Sequence, residues 1–311
     1  MVGRLTRPEL VVVTGAGSGI GRATAEAFAK DGATAICADI DLAAATETVL
    51  RISQHGGSAE AYQLDVADPE AFERFAGSVA EAHGVPDVVV NNAGIGMGGP
   101  FLEHSVEDLR RIVDVNLLGV AYGCRLFGRQ LAERHKTEPK RRGHIVNIAS
   151  AAAYTPSRAL PAYVMTKAAV LMLSEALRAE LRDHNVGVSA ICPGFIATNI
   201  YAATKFAGPG DSAEKGGLIQ DVFGRLAPGP ELVAQRIRFA VRFDIPVLPV
   251  TVGSWLAYGT FHYAMPLMRR LATLDLDSQL PRLDRLTRRL RPAPAEPKPA
   301  PDDDPARSPR A

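Results

Sequence analysis

Short apolar runs alternate with longer amphipathic stretches along most of the chain, and this alternation predicts the fold. Leu10–Thr14 (LVVVT) reads as a strand, followed by a helix over Ile20–Lys30 with Ala23, Ala27 and Phe28 on one face. Thr34–Asp39, Ala61–Leu64, Asp87–Asn91, His144–Ala149 and Val186–Cys192 are strand-like. Helical patterns lie between them at Leu42–His55, Pro69–His83, Ser105–Arg134 and Pro161–His184. A helix over Glu231–Asp244 and a strand over Pro246–Val252 complete the series. Continuously apolar strands separated by helices indicate a parallel sheet covered on both faces. Right-handed crossovers then give an α/β, doubly wound, seven-stranded parallel sheet flanked by helices.

Two stretches interrupt this rhythm. Thr198–Pro230 is rich in Gly, Ala and polar residues, and follows the sixth strand, where a ligand crevice opens in such folds. We read residues 198–230 as a substrate lid, because long connections in compact domains tend to be functional. The second stretch, Ile245–Met268, carries no Asp, Glu, Lys or Arg. Pro246, Pro249 and Pro266 break it and its first part is needed to finish the sheet, so a docked or membrane-touching amphipathic helix is favoured over a transmembrane span. Residues 1–252 thus form a single domain and 253–291 an apolar and basic helical extension. The Pro-rich residues 292–311 have almost nothing to bury and are expected to be disordered. There is no internal repeat.

Composition changes this picture little. The chain has 311 residues, 47% of them hydrophobic, which is enough for a sizeable core, and a formal net charge of +1, which gives no reason to expect a nucleic-acid partner. The basic run Arg134–Arg142 reads as a solvated loop. A second, Arg282–Arg291, could meet anionic headgroups or simply solvate a helix end. The three cysteines (Cys37, Cys124, Cys192) are scattered and form no metal or disulfide pattern, so no metal is expected and a reducing compartment is. Met1–Leu10 does not resemble a signal peptide, so the expected location is cytoplasmic, with membrane association through the extension as an option.

The first strand runs into Thr14–Gly15–Ala16–Gly17–Ser18–Gly19–Ile20–Gly21. Glycines between a strand and a helix allow a tight turn and close backbone approach to a pyrophosphate, which then meets the helix N-terminus. Gly15, Ser18, Gly19, Ile20 and Gly21 are the candidate phosphate contacts. Asp39 ends the next strand, about twenty residues on, where an acid can accept hydrogen bonds from the adenosine ribose and repel a 2′-phosphate. Ile40 follows it, not an arginine, so NAD is expected over NADP. Asp41 stands nearby, and capping the next helix is the alternative role for one of the two acids.

Tyr163 and Lys167 are four apart on a predicted helix and share a face. A free tyrosine, with a pKa of about 10, is a poor base near neutrality, and a neighbouring ammonium favours the phenolate. Ser150 ends the fifth strand and supplies a hydroxyl to hold a substrate oxygen beside Tyr163. An isolated Tyr-xxx-Lys pair is ordinarily just a helix surface. The serine and the glycine loop give this one its chemistry.

TGAGSGIG (Thr14–Gly21), NNAG (Asn91–Gly94), Asn116, Ser150, Tyr163-xxx-Lys167 and Pro193–Gly194 together resemble the short-chain dehydrogenase/reductase family in its compact single-domain, Rossmann-type form. The likeness runs in order and spacing from about Leu10 to Thr198. It implies hydride transfer between a nicotinamide and an alcohol or ketone, with Asn116, Ser150, Tyr163 and Lys167 catalytic. Lys167 would also bind the nicotinamide ribose, and Asn116 would hold a water in a proton relay. It further implies that Asp65 and Val66 contact the adenine, that Asn92, Ala93 and Gly94 line the cofactor cleft, and that Pro193, Gly194 and Thr198 touch the nicotinamide end. A homodimer or homotetramer is expected through the helices at 105–134 and 161–184. The C-terminus departs from the family, having Val250–Trp255 and an aromatic-rich segment in place of an Asp-Gly-Gly turn. That departure resembles members acting on steroids, retinoids or other lipids, so the expected substrate is a hydrophobic secondary alcohol or ketone. The competing reading is a non-catalytic NAD(H) sensor or scaffold protein with a membrane- or partner-binding C-terminus.

Overall fold

The computed structural model describes residues 5–198, 200, 203–208, 217 and 227–265. Most of the predicted lid, the basic run at 282–291 and the Pro-rich residues 292–311 lie outside these.

Seven parallel strands form the central sheet: β1 (Leu10–Thr14), β2 (Thr34–Asp39), β3 (Ser58–Gln63), β4 (Val88–Asn91), β6 (Gly143–Ile148), β7 (Val186–Cys192) and β9 (Val247–Pro249). Their order is β3-β2-β1-β4-β6-β7-β9, so the direction in which strands are added across the sheet reverses between β1 and β4. β1, β4, β6 and β7 are buried along their whole length, which is why they read as mainly apolar runs, with Asn91, His144, Asn147 and Ser189 as buried polar exceptions. β3 is the edge strand and half exposed. Its sequence SAEAYQ is accordingly polar, and it starts earlier than the apolar signal at Ala61–Leu64 suggested.

Helices α1 (Gly19–Lys30), α2 (Leu42–Gln54), α3 (Pro69–His83), α4 (Val106–Val113), α5 (Gly119–Thr137), α6 (Pro161–Leu181), α7 (Pro230–Phe243) and α8 (Val252–Tyr263) cover the sheet. On one face Phe28 and Ile52 pack with Val233 and Ile237. On the other Phe72, Phe75 and Phe127 form an aromatic cluster with Val79 packed in the same core. Asp41, Asp68, Ser105 and Thr251 accept backbone N–H bonds that start α2, α3, α4 and α8.

Three expectations change. The helix predicted over Ser105–Arg134 is interrupted at Asp114–Leu118 by a wide turn with i→i+5 bonding, which periodicity cannot show and which often marks a functional site. The final strand is only Val247–Pro249. Thr251 Oγ1 then accepts from Ser254 N at 3.2 Å and starts α8. The run Arg134–Arg142 is solvated only in its middle: residues 136–140 are exposed, while Arg134 and Arg142 are buried. Arg134 Nη1 lies 3.0 Å from Asp87 Oδ1, and Arg141 Nε 2.9 Å from the same oxygen. Arg142 Nη2 reaches Asp244 Oδ1 at 2.6 Å. These carboxylates lie far away in sequence and at the N-terminal ends of the strands, so the run alone looks solvated.

A two-stranded parallel sheet, absent from the sequence reading, joins β5 (Met97–Gly98) to β8 (Lys205–Phe206). It ties part of the segment predicted as a lid to the loop after β4. Lys205 Nζ adds an ion pair to Asp108 Oδ1 at 2.7 Å.

Candidate active site

The C-terminal ends of β1, β2, β4, β6 and β7 converge on one cleft, and the glycine loop after β1 shapes its floor. Gly15 has φ +64°. A Cβ on Gly21 would stand 2.0 Å from the Gly15 carbonyl oxygen, so this turn closes only without side chains. Ser18 occupies the N-cap of α1 without bonding the helix's first turn through its side chain. The helix thus presents Gly19 and Ile20 at an end suited to an anion. Thr198, arriving from the end of β7, lies across the loop, with its methyl 3.3 Å from where a Cβ on Gly19 would be. A dinucleotide pyrophosphate fits such a cradle.

Thr14 and Asn92 brace the loop. Thr14 Oγ1 accepts the N–H groups of Asn92 and Ala93 at 3.0 and 3.1 Å. Asn92 Nδ2 donates to the carbonyls of Thr14 and Gly15 at 2.9 and 3.1 Å. Asp39 and Asp41 have separate tasks. Asp41 caps α2 through Ala44 N at 3.1 Å, while Asp39 accepts the Gly17 N–H at 2.8 Å beside the loop. Asp65 is exposed beyond β3 and accepts Ala67 N at 2.9 Å. The Val66 side chain is buried against Gly119.

Lys167 is buried, and Nζ donates to the Ile148 carbonyl at 2.9 Å. It lies 5.8 Å from the Tyr163 ring centroid, one helical turn away. Burial pushes its pKa down to about 8, so at neutral pH it keeps its charge. Gly94 makes room for this arrangement, because a Cβ there would be 3.1 Å from Asn116 Oδ1 and 3.5 Å from Lys167 Nζ. Asn116 sits in the wide turn between α4 and α5. Its Oδ1 accepts Ile95 N at 2.8 Å and its Nδ2 donates to Ile95 O at 2.9 Å. The turn therefore delivers Asn116 to the strand-end loop next to Lys167. Ser150 follows β6, and its Oγ accepts Ala152 N at 3.1 Å. Ala151 N donates to Pro193 O at 2.8 Å, which links the serine segment to Pro193–Gly194.

Sequence reasoning missed the support behind this cleft. Tyr154, four residues after Ser150, is buried and donates to Ser254 Oγ at 2.6 Å, and Ser254 Oγ donates to Cys192 O at 2.7 Å. A Cβ on Gly194 would meet Thr251 Oγ1 at 2.3 Å, so the start of α8 presses directly on the Pro193–Gly194 segment. Tyr258 and Phe261 pack against Tyr154 from the same helix, with ring centroids at 5.4 and 6.4 Å. All three cysteines are buried, and burial pushes each thiol up to about 12, which removes them as nucleophiles. Among the described residues no group of His, Cys, Asp or Glu is placed to hold a metal ion.

The family described as short chain dehydrogenase matches residues 9–207. The chain is 48% identical over 269 residues to "Probable oxidoreductase EphD" of Mycobacterium tuberculosis, a match covering 85% of this chain and 45% of that protein. It therefore spans about half the length of that relative. It is 38% identical over 200 residues to "3beta-hydroxysteroid dehydrogenase 1" of Eggerthella lenta, covering 64% of this chain and 74% of that one. A crystal structure of a short chain dehydrogenase/reductase from Burkholderia phymatum in complex with NAD superposes with a TM-score of 0.76 at 29% identity, over 84% of this chain and 95% of the other.

Proposed function

The chain belongs to the short-chain dehydrogenase family, and from that premise we propose that it is an NAD(H)-dependent oxidoreductase interconverting a hydrophobic secondary alcohol and its ketone. The observation that carries this reading is Lys167, a buried amine held on the Ile148 carbonyl, beside the Tyr163 ring and in the gap left by Gly94. A buried charge needs a reason, and activation of Tyr163 supplies one.

The nicotinamide, when bound, accepts or gives the hydride. Ser150 holds the substrate oxygen, and Tyr163 removes the alcohol proton in oxidation or returns it in reduction. Lys167 favours the phenolate and binds the nicotinamide ribose, while Asn116 orders the path by which the proton leaves. Gly15, Ser18, Gly19, Ile20 and Gly21 would hold the pyrophosphate, and Asp39 the adenosine ribose. Asp65, Val66, Asn92, Ala93 and Gly94 would flank the adenine and the cleft wall, and Pro193, Gly194 and Thr198 the nicotinamide. Asp39, with Ile40 beside it, supports NAD over NADP.

The likeness to a hydroxysteroid dehydrogenase and the apolar C-terminal helix support a hydrophobic substrate. Helix α8 turns Val252, Trp255, Leu256 and Tyr263 outward on one face, which supports contact with a membrane surface. Among the described residues no helix is long and apolar enough to cross one. Exposed Met165 and Met172 on α6 support self-association through that helix. NADH formation from NAD⁺ over a panel of hydrophobic secondary alcohols tests the proposal. Turnover confined to sugars or small hydroxy acids would remove the substrate class, and NADH binding with no turnover on any alcohol or ketone would favour a sensor.

A further inference from the structure

We propose that Glu47 is a specificity-determining residue of the cofactor site. It holds Arg22 in a neutral pair and so withholds from the adenosine ribose the guanidinium that a 2′-phosphate would use. The proposal rests on the NAD(H) reading above and deepens it.

Gly17 is gripped at both ends. Its N–H donates to Asp39 Oδ2 at 2.8 Å, and its carbonyl accepts from Arg22 Nη2. A carboxylate and a guanidinium thus flank one residue of the phosphate loop. The acid is the group assigned above to the adenosine ribose, and the cation is held on the other end of the same residue. Arg22 lies in the first turn of α1 and Glu47 on α2, the helix that starts just after Asp39.

The rest of the guanidinium is spoken for. Nη1 and Nη2 meet the two oxygens of Glu47 at 2.9 and 3.1 Å, a bidentate fork. Nε donates to Thr48 Oγ1 at 3.1 Å, and that hydroxyl donates on to the Ala16 carbonyl at 2.8 Å. The effect of a guanidinium on a nearby anion is set by what pairs with it. With Glu47 in place the pair is neutral, and the carboxylates of Asp39 and Asp41 set the charge at the ribose end. Without Glu47 the N–H groups that met its two oxygens are released, while Gly17 O and Thr48 Oγ1 still hold the guanidinium beside the loop. A planar fork of donors is the group best matched to a phosphate.

Two devices therefore exclude NADP(H): Asp39 repels the extra phosphate, and Glu47 keeps the local cation occupied. A cofactor reading based on Asp39 alone sees only the first. Glu47 is exposed and Arg22 partly buried, so Glu47→Gln leaves no cavity, and the Gly17 and Thr48 bonds still hold the guanidinium.

The test is fluorescence titration of the full chain with NADH and NADPH, comparing wild type with Glu47→Gln, Asp39→Asn, the double variant and Arg22→Met/Glu47→Gln. Glu47→Gln is expected to tighten NADPH binding roughly two- to fivefold, the range of one partly exposed charge pair, while leaving NADH unchanged. The gain should recur on top of Asp39→Asn, shrink as salt is raised, and vanish in Arg22→Met/Glu47→Gln. Equal changes for both cofactors, or no change for NADPH, would overturn the role of Glu47. A wild type that prefers NADPH would overturn the NAD(H) reading instead, and the Glu47→Gln ratio against wild type would still decide the latch.

Discussion

The Tyr154 hydroxyl donates to Ser254 Oγ at 2.6 Å, across 100 positions of sequence, and both residues are buried. Ser254 passes the bond on to Cys192 O. The segment carrying Ser150, the segment leading to Pro193–Gly194 and the C-terminal helix are thus joined behind the cleft. Tyr154→Phe leaves the serine oxygen without its donor and should cost about 1–3 kcal/mol of stability. It should lower kcat on an alcohol more than it weakens NADH binding, because the displaced segment carries Ser150 and not the phosphate loop. Ser254→Ala should give a similar loss, and the double variant little more than either alone. Thermal melts with steady-state kinetics check this, and fully additive losses would contradict it.

The phosphate loop makes its own prediction. A methyl on Gly21 would overlap the Gly15 carbonyl at 2.0 Å, and that neighbour is backbone, which cannot rotate away. Gly21→Ala should therefore weaken NADH binding at least tenfold, a change of about 1.4 kcal/mol. Isothermal titration against wild type measures it.

Lys167 predicts a pH dependence in the cofactor-free protein. Its pKa is pushed down by burial from 10.5 to about 8. Below about 8 the amine is charged both folded and unfolded, and the fold bears the full cost of burying that charge. Between about 8 and 10.5 the folded form gives up its proton while the unfolded chain keeps it, so this site's contribution to stability improves as pH rises. Lys167→Met should raise the melting temperature most near pH 7, and the gain should shrink towards pH 10. A constant gain across that range would contradict the assignment.

At the opposite end of the strands, Asp87 pairs with buried Arg134 and with half-exposed Arg141, which Glu9 and Glu138 also meet. Burial pushes its pKa up, but hydrogen bonds from Arg141 and the Glu9 N–H, with the charge of Arg134, outweigh that and hold it below the usual carboxylate range. Its stabilisation is thus present above that range and lost as pH falls through the lowered value. Asp87→Asn strands a buried guanidinium and should cost about 3–5 kcal/mol in urea unfolding. Activity per folded molecule should stay the same, since the pair lies far from the cleft.

What the sequence revealed follows from which signals are local. The strand–glycine–helix run at Thr14–Gly21 and the four-residue spacing of Tyr163 and Lys167 each lie within one element, and the sheet order follows from right-handed crossovers. Pairings across the chain were not legible. Asp87 stands 47 positions from Arg134, so the basic run looked solvated. Two-residue strands such as Met97–Gly98 leave no periodicity to read. The wide turn at Asn116 keeps the apolar spacing of a helix while changing its bonding. The aromatic stretch after Val252 reads as amphipathic, but its sequence does not say that Tyr258 and Phe261 face Tyr154 while Trp255 and Leu256 face outward.

The most direct test of the central claim is Tyr163→Phe, assayed for NADH formation from NAD⁺ with a hydrophobic secondary alcohol that the wild type oxidises, alongside NADH binding by fluorescence. The phenol oxygen is the group proposed to take the alcohol proton, and its removal leaves the phosphate loop untouched. The account predicts that turnover is lost by a factor of about a hundred or more, the contribution of a general base, while NADH binding is retained. Retained turnover in Tyr163→Phe would contradict it.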